Sequence, residues 1–413
     1  MPLTIHLDDH QPCYFGSETL RGRVVFESSS ITNLQDIQVR FTGRSKTRVQ
    51  KVKGSGAPAA NYRSKCIFFE KEKILLHLNG EALPPGKYEW PFEFVFPTTA
   101  RSSVRWPERH PFRSDANHPL PPTFAIETGD EARRIYCVID YRIEASVAKP
   151  QRGLFPSTTP LFSEEARLNF IPGFAVADVG ESDHAAEMYR QRKEHVFNIR
   201  SRLLLPENRG RSLSVGEKIQ GWFAPGELPR FSFTTSFSYP TRVVQSALLQ
   251  CSLDITPHME DSSVTSPPEI FMKSILITAT SQTAARAAPS IIGAISAEVE
   301  DRIEILSRTS LHVPASGNID LGMAFGPLLL RHTDVSFRTF NICRTYCLCV
   351  SIVFACAGQT NEFKLTDLPF EVIAKFERPA KKNLAIESVE RVEDAPPAYT
   401  SSEQLSTRSF DEV

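Results

Sequence analysis

Polar and apolar residues alternate along much of the chain, which is the period-two pattern of half-buried β-strands. The clearest case is a run in which Tyr88, Trp90, Phe92, Phe94 and Phe96 occupy alternate positions. All five aromatic side chains of such a strand project from one face, and that face is buried only when a second sheet lies above it. The pattern therefore predicts a β-sandwich.

Further segments show the same alternation, namely residues 3–7, 20–26, 37–41 and 135–143. The longest apolar run, residues 345–358, is shorter than the roughly 20 residues needed to cross a bilayer. We interpret it as a buried strand. The 28 Phe, 30 Pro and 20 Gly residues are typical of many short strands joined by turns.

One segment departs from this alternation. Residues 182–197 are rich in charged residues and helix formers and contain neither Gly nor Pro. This composition favours a short helix in a connector between two β-regions.

Two short sequences recur in the two halves of the chain. Residues 18–22 (ETLRG) resemble residues 217–221 (EKIQG), and Tyr141 follows the first at nearly the same separation as Tyr346 follows the second. Self-similarity at this distance predicts two similar sandwiches in tandem.

The recurrence divides the chain into four parts. We expect an N-terminal β-sandwich over residues 1–170, a connector over 171–200, a second β-sandwich over 201–378 and a tail over 379–413. The tail is acidic, contains several serines and has few large apolar side chains, so it cannot offset the entropy of ordering and is predicted to be disordered. The expected fold is all-β, with two tandem immunoglobulin-like sandwiches.

Charge and cysteine content limit the classes of function and the cellular compartment that we expect. With 47 basic and 48 acidic residues, the net charge of −1 gives no general attraction to nucleic acid or membrane. The N-terminus resembles no secretory signal and there is no Asn-x-Ser/Thr sequon, so we expect a cytoplasmic protein with reduced thiols. We expect the cysteines near the last apolar run to pack in the core rather than bind zinc, namely Cys343, Cys347, Cys349 and Cys356.

No catalytic motif is present among GxSxG, HExxH and GxGxxG. Residues 80–88 superficially resemble a phosphate-binding loop, but five residues separate Gly80 from Gly86 and Tyr88 stands where Ser or Thr is required. We predict a protein that is not an enzyme, with no cofactor and no metal. A carbohydrate-binding or hydrolytic sandwich is a further class, and it predicts secretion and glycan binding.

A basic stretch occupies residues 43–65, with no acidic residue. Its cations are Arg44, Lys46, Arg48, Lys51, Lys53, Arg63 and Lys65. The first three share one strand face, whereas Lys51 and Lys53 have the opposite parity unless a bulge intervenes. This candidate patch suits lipid headgroups, phosphorylated tails or acidic cargo segments. The alternative is that these Lys and Arg residues lie on an exposed edge strand and prevent its aggregation with other strands.

The tail contains Pro396-Pro397-Ala398-Tyr399, a Pro-Pro-x-Tyr motif. Adjacent prolines favour polyproline II, so the peptide has already lost much of the entropy that binding would cost. A WW domain offers an aromatic groove for the prolines and a pocket for the tyrosine ring. Other Pro-Pro pairs lie inside the β-regions and are not followed by Tyr in this way.

Several segments resemble those of a known family, the arrestins. Segments similar to an arrestin N-domain are LTIHLDD, residues 14–22, residues 37–43, LPPGKYEWPFEFVFP and LPPTF. In the second half, SVGEKIQGWF and FNICRTYCLCVSIVF resemble the C-domain. Together with the PPAY motif, the chain is similar to the α-arrestins of fungal type over roughly residues 1–378. Many members have two or more PPxY motifs, whereas this chain has one, so ligase binding is expected to be weak.

The resemblance implies a non-catalytic adaptor, and we expect a monomer. Nucleic-acid binding is disfavoured because the second β-region has no matching basic patch and no aromatic residues are interleaved with the charges. Its sandwiches would bind plasma-membrane transporters or receptors, with an anionic membrane surface as a further contact. Pro396, Pro397 and Tyr399 would recruit the WW domains of a HECT-type ubiquitin ligase, so that cargo is ubiquitinated, endocytosed and sorted to the vacuole. The alternative is a ligase-independent arrestin-fold scaffold or a retromer-like cargo-sorting protein, in which PPAY is incidental.

Overall fold

The fold is that of a computed structural model, which describes most of the first 375 residues. The described ranges are 2–8, 11–34, 36–51, 60–77, 81–102, 105–129, 133–148, 160–173, 189–208, 211, 228–260, 262–287, 295–331 and 333–375. Within them the chain is almost entirely β-structure.

The first half forms twelve strands within the described residues. They are β1 (Leu3–Leu7), β2 (Thr19–Ser28), β3 (Thr32–Asn33), β4 (Asp36–Lys51), β5 (Ala60–His77), β6 (Ala82–Leu83), β7 (Gly86–Val95), β8 (Thr99–Ala100), β9 (His118–Pro119), β10 (Phe124–Gly129), β11 (Arg133–Val147) and β12 (Phe162–Leu168). A three-stranded sheet, β1-β2-β7, faces a larger one in the order β10-β11-β4-β5, with β12 also paired to β11. All pairs in these two sheets are antiparallel.

The second half continues the numbering in the described part of the chain. Its strands are β13 (Arg190–Arg200), β14 (Arg230–Pro240), β15 (Arg242–Val244), β16 (Ser252–His258), β17 (Ile270–Arg286), β18 (Ser296–Arg308), β19 (Val313–Pro314), β20 (Gly317–Asp320), β21 (Phe337–Arg338), β22 (Ile342–Cys356) and β23 (Gln359–Ile373). One short helix, α1 (Leu321–Phe325), and two 3-10 turns, Arg202–Leu204 and Pro206–Asn208, complete this part. The sheets have the orders β13-β14-β16-β20 and β15-β23-β22-β17-β18.

The aromatic alternation of β7 is confirmed. Phe92, Phe94 and Phe96 are buried, Tyr88 and Trp90 are half-buried, and the intervening residues are exposed. The rings of Phe94 and Phe96 meet Phe41 of the facing sheet, at centroid distances of 5.7 and 4.7 Å. Burying one row of aromatic side chains between two sheets is what holds this sandwich together.

The helix expected within residues 182–197 is wrong for the part that the structure describes. Residues 190–197 lie in β13, which pairs in register with β14 from Arg190–Pro240 to Arg200–Arg230. Phe197 and Ile199 are buried at alternate positions, whereas most of the strand is exposed because β13 is a sheet edge. Tertiary pairing overrides the helical propensity, and the charges are those typical of an edge strand. Residues 190–200 therefore belong to the second sandwich rather than to the connector.

The second sandwich also packs against the first. Its residues Ala285, Ala297, Phe337, Phe340 and Ile342 join the core cluster of the first sandwich. The rings of Phe124 and Phe337 meet edge-on at 5.1 Å across this boundary. Residues 1–375 accordingly form one compact unit.

The described residues include no helix that combines the length and the apolar character needed for a membrane span. The tail predicted over residues 379–413, with Pro396, Pro397 and Tyr399, lies outside the described residues.

Candidate functional site

The described part of the basic stretch lies on β4 and β5 of the larger sheet of the first sandwich. On β4, Ser45, Thr47 and Val49 are buried, whereas Arg44, Lys46 and Arg48 point away from them. Side chains of a strand alternate between its two faces. The observed alternation therefore confirms that these three cations share one face.

Arg44 and Arg48 are neutralised by carboxylates on other strands of the same sheet. Arg44 donates to both carboxylate oxygens of Asp140 on β11, with a shortest distance of 2.9 Å. Arg48 pairs with Glu127 of β10 at 3.0 Å, and its guanidinium lies 5.4 Å from the ring centre of Tyr136. These partners hold the two arginines in place.

The remaining cations of this face have no ion pair among the described residues. Lys46 lies directly across from Lys65 on β5, and Arg48 lies across from Arg63. Lys46, Arg63 and Lys65 are all exposed. Like charges directly opposite each other destabilise a sheet, so fold stability does not explain these residue types.

We define the basic strip as Lys46, Arg48, Arg63 and Lys65. Together with Tyr136 they line a shallow surface depression of about 630 Å³. Positive side chains beside an aromatic ring suit a chain that carries carboxylates or phosphates.

The edge-strand explanation accounts for only part of the strip. β5 is the edge of its sheet, so Arg63 and Lys65 fit a role against edge-to-edge association. β4 is paired on both sides, to β11 and β5. Lys46 and Arg48 therefore cannot be explained as protection of an edge.

Sequence reasoning missed Arg134 and Tyr136. Both lie on the outer face of β11, where Arg134 pairs with Gln50 and Tyr136 with Arg48 of β4. Their positions depend on the register between strands that are far apart in sequence. Only a prediction of that register would have found them.

Lys51 and Lys53 do not extend the strip within the described residues. Lys51 ends β4 on the opposite parity, as predicted, and it is half-buried. Lys53 lies outside the described residues, as do Pro396, Pro397 and Tyr399. Their roles stay predictions.

The expected core packing of cysteines is confirmed at two of the four positions. Cys343 and Cys356 are buried, but Cys347 and Cys349 are half-buried, because they lie on the face of β22 that points away from the sandwich core. Burial raises the pKa of the Cys343 and Cys356 thiols to about 11, and those of Cys137 and Cys251 to about 12. Thiols of this kind are poor nucleophiles.

No group of three or more His, Cys, Asp or Glu side chains within the described ranges is arranged to hold a metal ion.

A family model described as "Arrestin (or S-antigen), N-terminal domain" matches residues 3–159. The match covers β1 to β11 and includes the whole basic strip. No curated protein matches the chain. The match covers less than half of the chain and indicates an arrestin-like N-terminal domain there, which supports an adaptor or scaffold role in general.

Proposed function

We propose that this protein is an α-arrestin-type adaptor that joins a membrane transporter or receptor to a HECT-type ubiquitin ligase. The observation that carries the proposal is the arrestin N-terminal match over residues 3–159 in a chain that also contains Pro396, Pro397 and Tyr399. The adaptor is recruited peripherally to the plasma membrane and endosomes, where ubiquitinated cargo is endocytosed and sorted to the vacuole.

The ligase arm is the Pro-Pro-x-Tyr motif. Pro396 and Pro397 pre-organise a polyproline II peptide, and Tyr399 supplies the ring and hydroxyl for which a WW domain has a pocket. One such contact is small and weak. Its useful strength comes from a second, simultaneous contact with cargo, which raises the local concentration of ligase beside its substrate.

The cargo arm is the basic strip. Glu127 and Asp140 neutralise Arg48 and Arg44, so the cations of this face that lack an ion pair among the described residues are Lys46, Arg63 and Lys65 on β4 and β5, with Arg134 beside them on β11. A strip of this width fits one extended acidic segment of a cargo tail better than the broad plane of a membrane. If the protein bound anionic vesicles and not an acidic peptide, the ligand of the basic strip would be lipid rather than cargo.

The second candidate is a ligase-independent arrestin-fold scaffold that sorts cargo. The family match alone fits this candidate as well as it fits the adaptor. The two differ in whether Tyr399 is needed for binding a ligase.

The test is calorimetric titration of the full-length protein with a WW domain of a HECT-type ligase. We expect micromolar-range binding, about 8 kcal/mol, that Tyr399→Ala abolishes. Ala398→Ser changes the variable position of the motif and serves as the matched control, because it should keep binding. Equal binding by wild type and Tyr399→Ala would favour the scaffold.

A further inference from the structure

A cleft of about 710 Å³ lies where β15 and β21 meet the start of β22 and the end of β23. Residues 119–122, which we call the proline segment, also line it. The cleft shares no lining residue with the depression at the basic strip. Ligand sites on proteins have volumes of about 300–1,000 Å³, so this cleft has the size of a site for a small molecule.

Positive charge exceeds negative charge in this cleft. Four arginines and one carboxylate are among its described lining residues, namely Arg113, Arg242, Arg338, Arg344 and Glu371. The carboxylate of Glu371 accepts a hydrogen bond from Arg242 at 3.2 Å. Three further cations therefore face the cleft without a carboxylate in its described lining. We call this site the arginine cleft.

Two of the arginines are brought side by side by the backbone. The amide of Arg113 donates to the carbonyl oxygen of Thr339 at 3.1 Å, which places Arg113 next to Arg338. Both arginines are exposed. Arg113 lies 3.6 Å from Asp115, which is too long for a strong hydrogen bond, and Arg338 has no ion pair among the described residues. Because adjacent like charges repel, this arrangement favours an anion between the two guanidinium groups.

A third arginine adds a fixed charge. Arg344 on β22 is buried, and its guanidinium donates to the Thr283 hydroxyl and, at 3.1 Å, to the Tyr346 hydroxyl. Its carboxylate partner, Asp334, lies 3.5 Å away. That contact is longer than a charge-assisted hydrogen bond, so the charge of Arg344 is incompletely neutralised.

Apolar rings lie in the same cleft. Pro121 and Pro122 of the proline segment line it together with Pro369 of β23. The ring of Tyr189 lines it too, with the guanidinium of Arg242 4.5 Å from its centre. A cationic site beside apolar rings suits a molecule that carries an oxyanion at one end and a ring at the other.

We propose that the arginine cleft binds a free phosphorylated small molecule of about the size of a nucleotide. Its phosphate lies between Arg113 and Arg338, and its ring packs on the prolines. Phosphate is preferred to carboxylate because it carries more charge and has three acceptor oxygens, enough to bond two guanidinium groups at once. This inference is independent of the ligase and cargo proposals.

The test is calorimetric titration of the full-length protein with ATP and with glucose 6-phosphate at constant ionic strength, because salt screens charge. We expect at least one of them to bind with a dissociation constant below about 100 μM. Inorganic phosphate should bind at least roughly tenfold more weakly, because it has no ring to pack on the prolines. If neither probe binds, or only vesicles with a phosphorylated lipid headgroup bind, the proposal is overturned.

Arg113→Gln with Arg338→Gln removes both cations and keeps polar side chains. Since hydrogen bonds to charged groups are lost, we expect binding of the probe to weaken at least roughly tenfold. Both positions are exposed, so the variant should fold, and its melting temperature checks this. Unchanged binding would refute the assignment.

Lys73→Gln with Lys364→Gln is the matched control. It makes the same change in net charge at two exposed positions outside the cleft and should keep binding. Equal weakening in the control would show general attraction of anions and would contradict a site. Loss of binding in Lys46→Glu with Lys65→Glu alone would place the probe on the basic strip instead.

Thr345→Trp tests the cleft without any change of charge. Thr345 is a half-buried lining residue of β22, and a larger side chain there fills space that the ligand needs. We expect binding to be lost, whereas Ser351→Trp, on the same face of β22 but outside the cleft, should retain it. Full binding by folded Thr345→Trp would mean that the ligand does not occupy the cleft.

Discussion

Tyr141 and Tyr346 occupy equivalent places in the two sandwiches. Each is buried on an inner strand, and each donates its hydroxyl hydrogen to a main-chain carbonyl oxygen, that of Pro121 at 2.6 Å and that of Asp334 at 2.9 Å. Each ring also packs on a phenylalanine near the end of its sandwich, Phe170 at 4.9 Å and Phe370 at 5.7 Å. The recurrence found in the sequence at these two tyrosines is therefore a recurrence of structure.

The two tyrosines differ in the number of hydrogen bonds that their hydroxyls make. The Tyr141 hydroxyl makes one hydrogen bond, whereas the Tyr346 hydroxyl also accepts from the Asp334 amide at 2.9 Å and the Arg344 Nε at 3.1 Å. We expect Tyr141→Phe to lower the free energy of unfolding by about 1–2 kcal/mol and Tyr346→Phe by about 2–3 kcal/mol. Urea unfolding of the variants measures both.

Tyr136→Phe is the control for this pair, because Tyr136 on β11 is 37% exposed. Tyr136→Phe should change the free energy of unfolding by no more than about 0.5 kcal/mol. The account is contradicted if Tyr346→Phe costs no more than Tyr136→Phe.

Much of the strand pattern was predictable because alternation is a local property. The periods seen at β1, β2, β4, β7 and β11 need only the sequence within each strand to show which side is buried. The shared face of Arg44, Lys46 and Arg48 follows from the same rule.

Other features depend on contacts between distant segments, which no local pattern contains. β13 is a strand because β14 pairs with it, although its composition favours a helix. Arg134 and Tyr136 reach the basic strip only through the register of β11 on β4. Arg286 at the end of β17 shows no special sequence pattern, and only the folded chain brings the carbonyl oxygens of Pro107 and Arg113 to its guanidinium.

Gly22 is required by a close approach between strands. A Cβ atom there would lie 2.4 Å from the His6 carbonyl oxygen and 2.8 Å from the Phe92 ring. We expect Gly22→Ala to lower the free energy of unfolding by at least about 2 kcal/mol, because backbone must shift to relieve the overlap. Thermal and urea unfolding test this.

Gly86→Ala is the matched glycine control at the start of β7. Its Cβ would meet only the Tyr88 ring, at 3.5 Å, an ordinary contact. It should change stability by no more than about 0.5 kcal/mol. If the two alanine variants are equally stable, the close approach at Gly22 is not restrictive.

His118 makes stability sensitive to mild acid. Its Nδ1–H donates to the Asp115 carbonyl oxygen at 3.0 Å, and its Nε2 accepts from the Thr339 hydroxyl of the second sandwich at 3.0 Å. Burial lowers the pKa of His118 from its ordinary value of 6.5, with Arg113 acting in the same direction and Asp115 opposing. The folded protein therefore takes up this proton at a lower pH than the unfolded chain.

The unfolded chain binds more protons below about pH 6.5, so stability is lost as the pH falls through that value. We expect the melting temperature to drop between about pH 7.5 and about pH 5.5. In His118→Gln the drop should be smaller, because the titrating group is gone. The same pH dependence in both proteins would exclude His118 as its source.

Charge reversal in the basic strip tests the cargo arm. We expect Lys46→Glu with Lys65→Glu to weaken binding of an acidic cargo-tail peptide roughly tenfold, with wild-type binding itself weakening as salt rises. Fluorescence anisotropy measures the affinity. Lys73→Glu with Lys364→Glu reverses two exposed lysines outside the strip, on β5 and β23, makes the same charge change and should leave binding intact. Equal loss in this control would point to net charge rather than to the strip.

The central claim is that one molecule joins cargo to ligase, and cargo ubiquitination in cells tests it most directly. The account predicts that Tyr399→Ala abolishes cargo ubiquitination while cargo binding persists, and that the Lys46→Glu, Lys65→Glu protein loses ubiquitination while WW binding persists. Undiminished cargo ubiquitination in cells whose only copy carries Tyr399→Ala would contradict it.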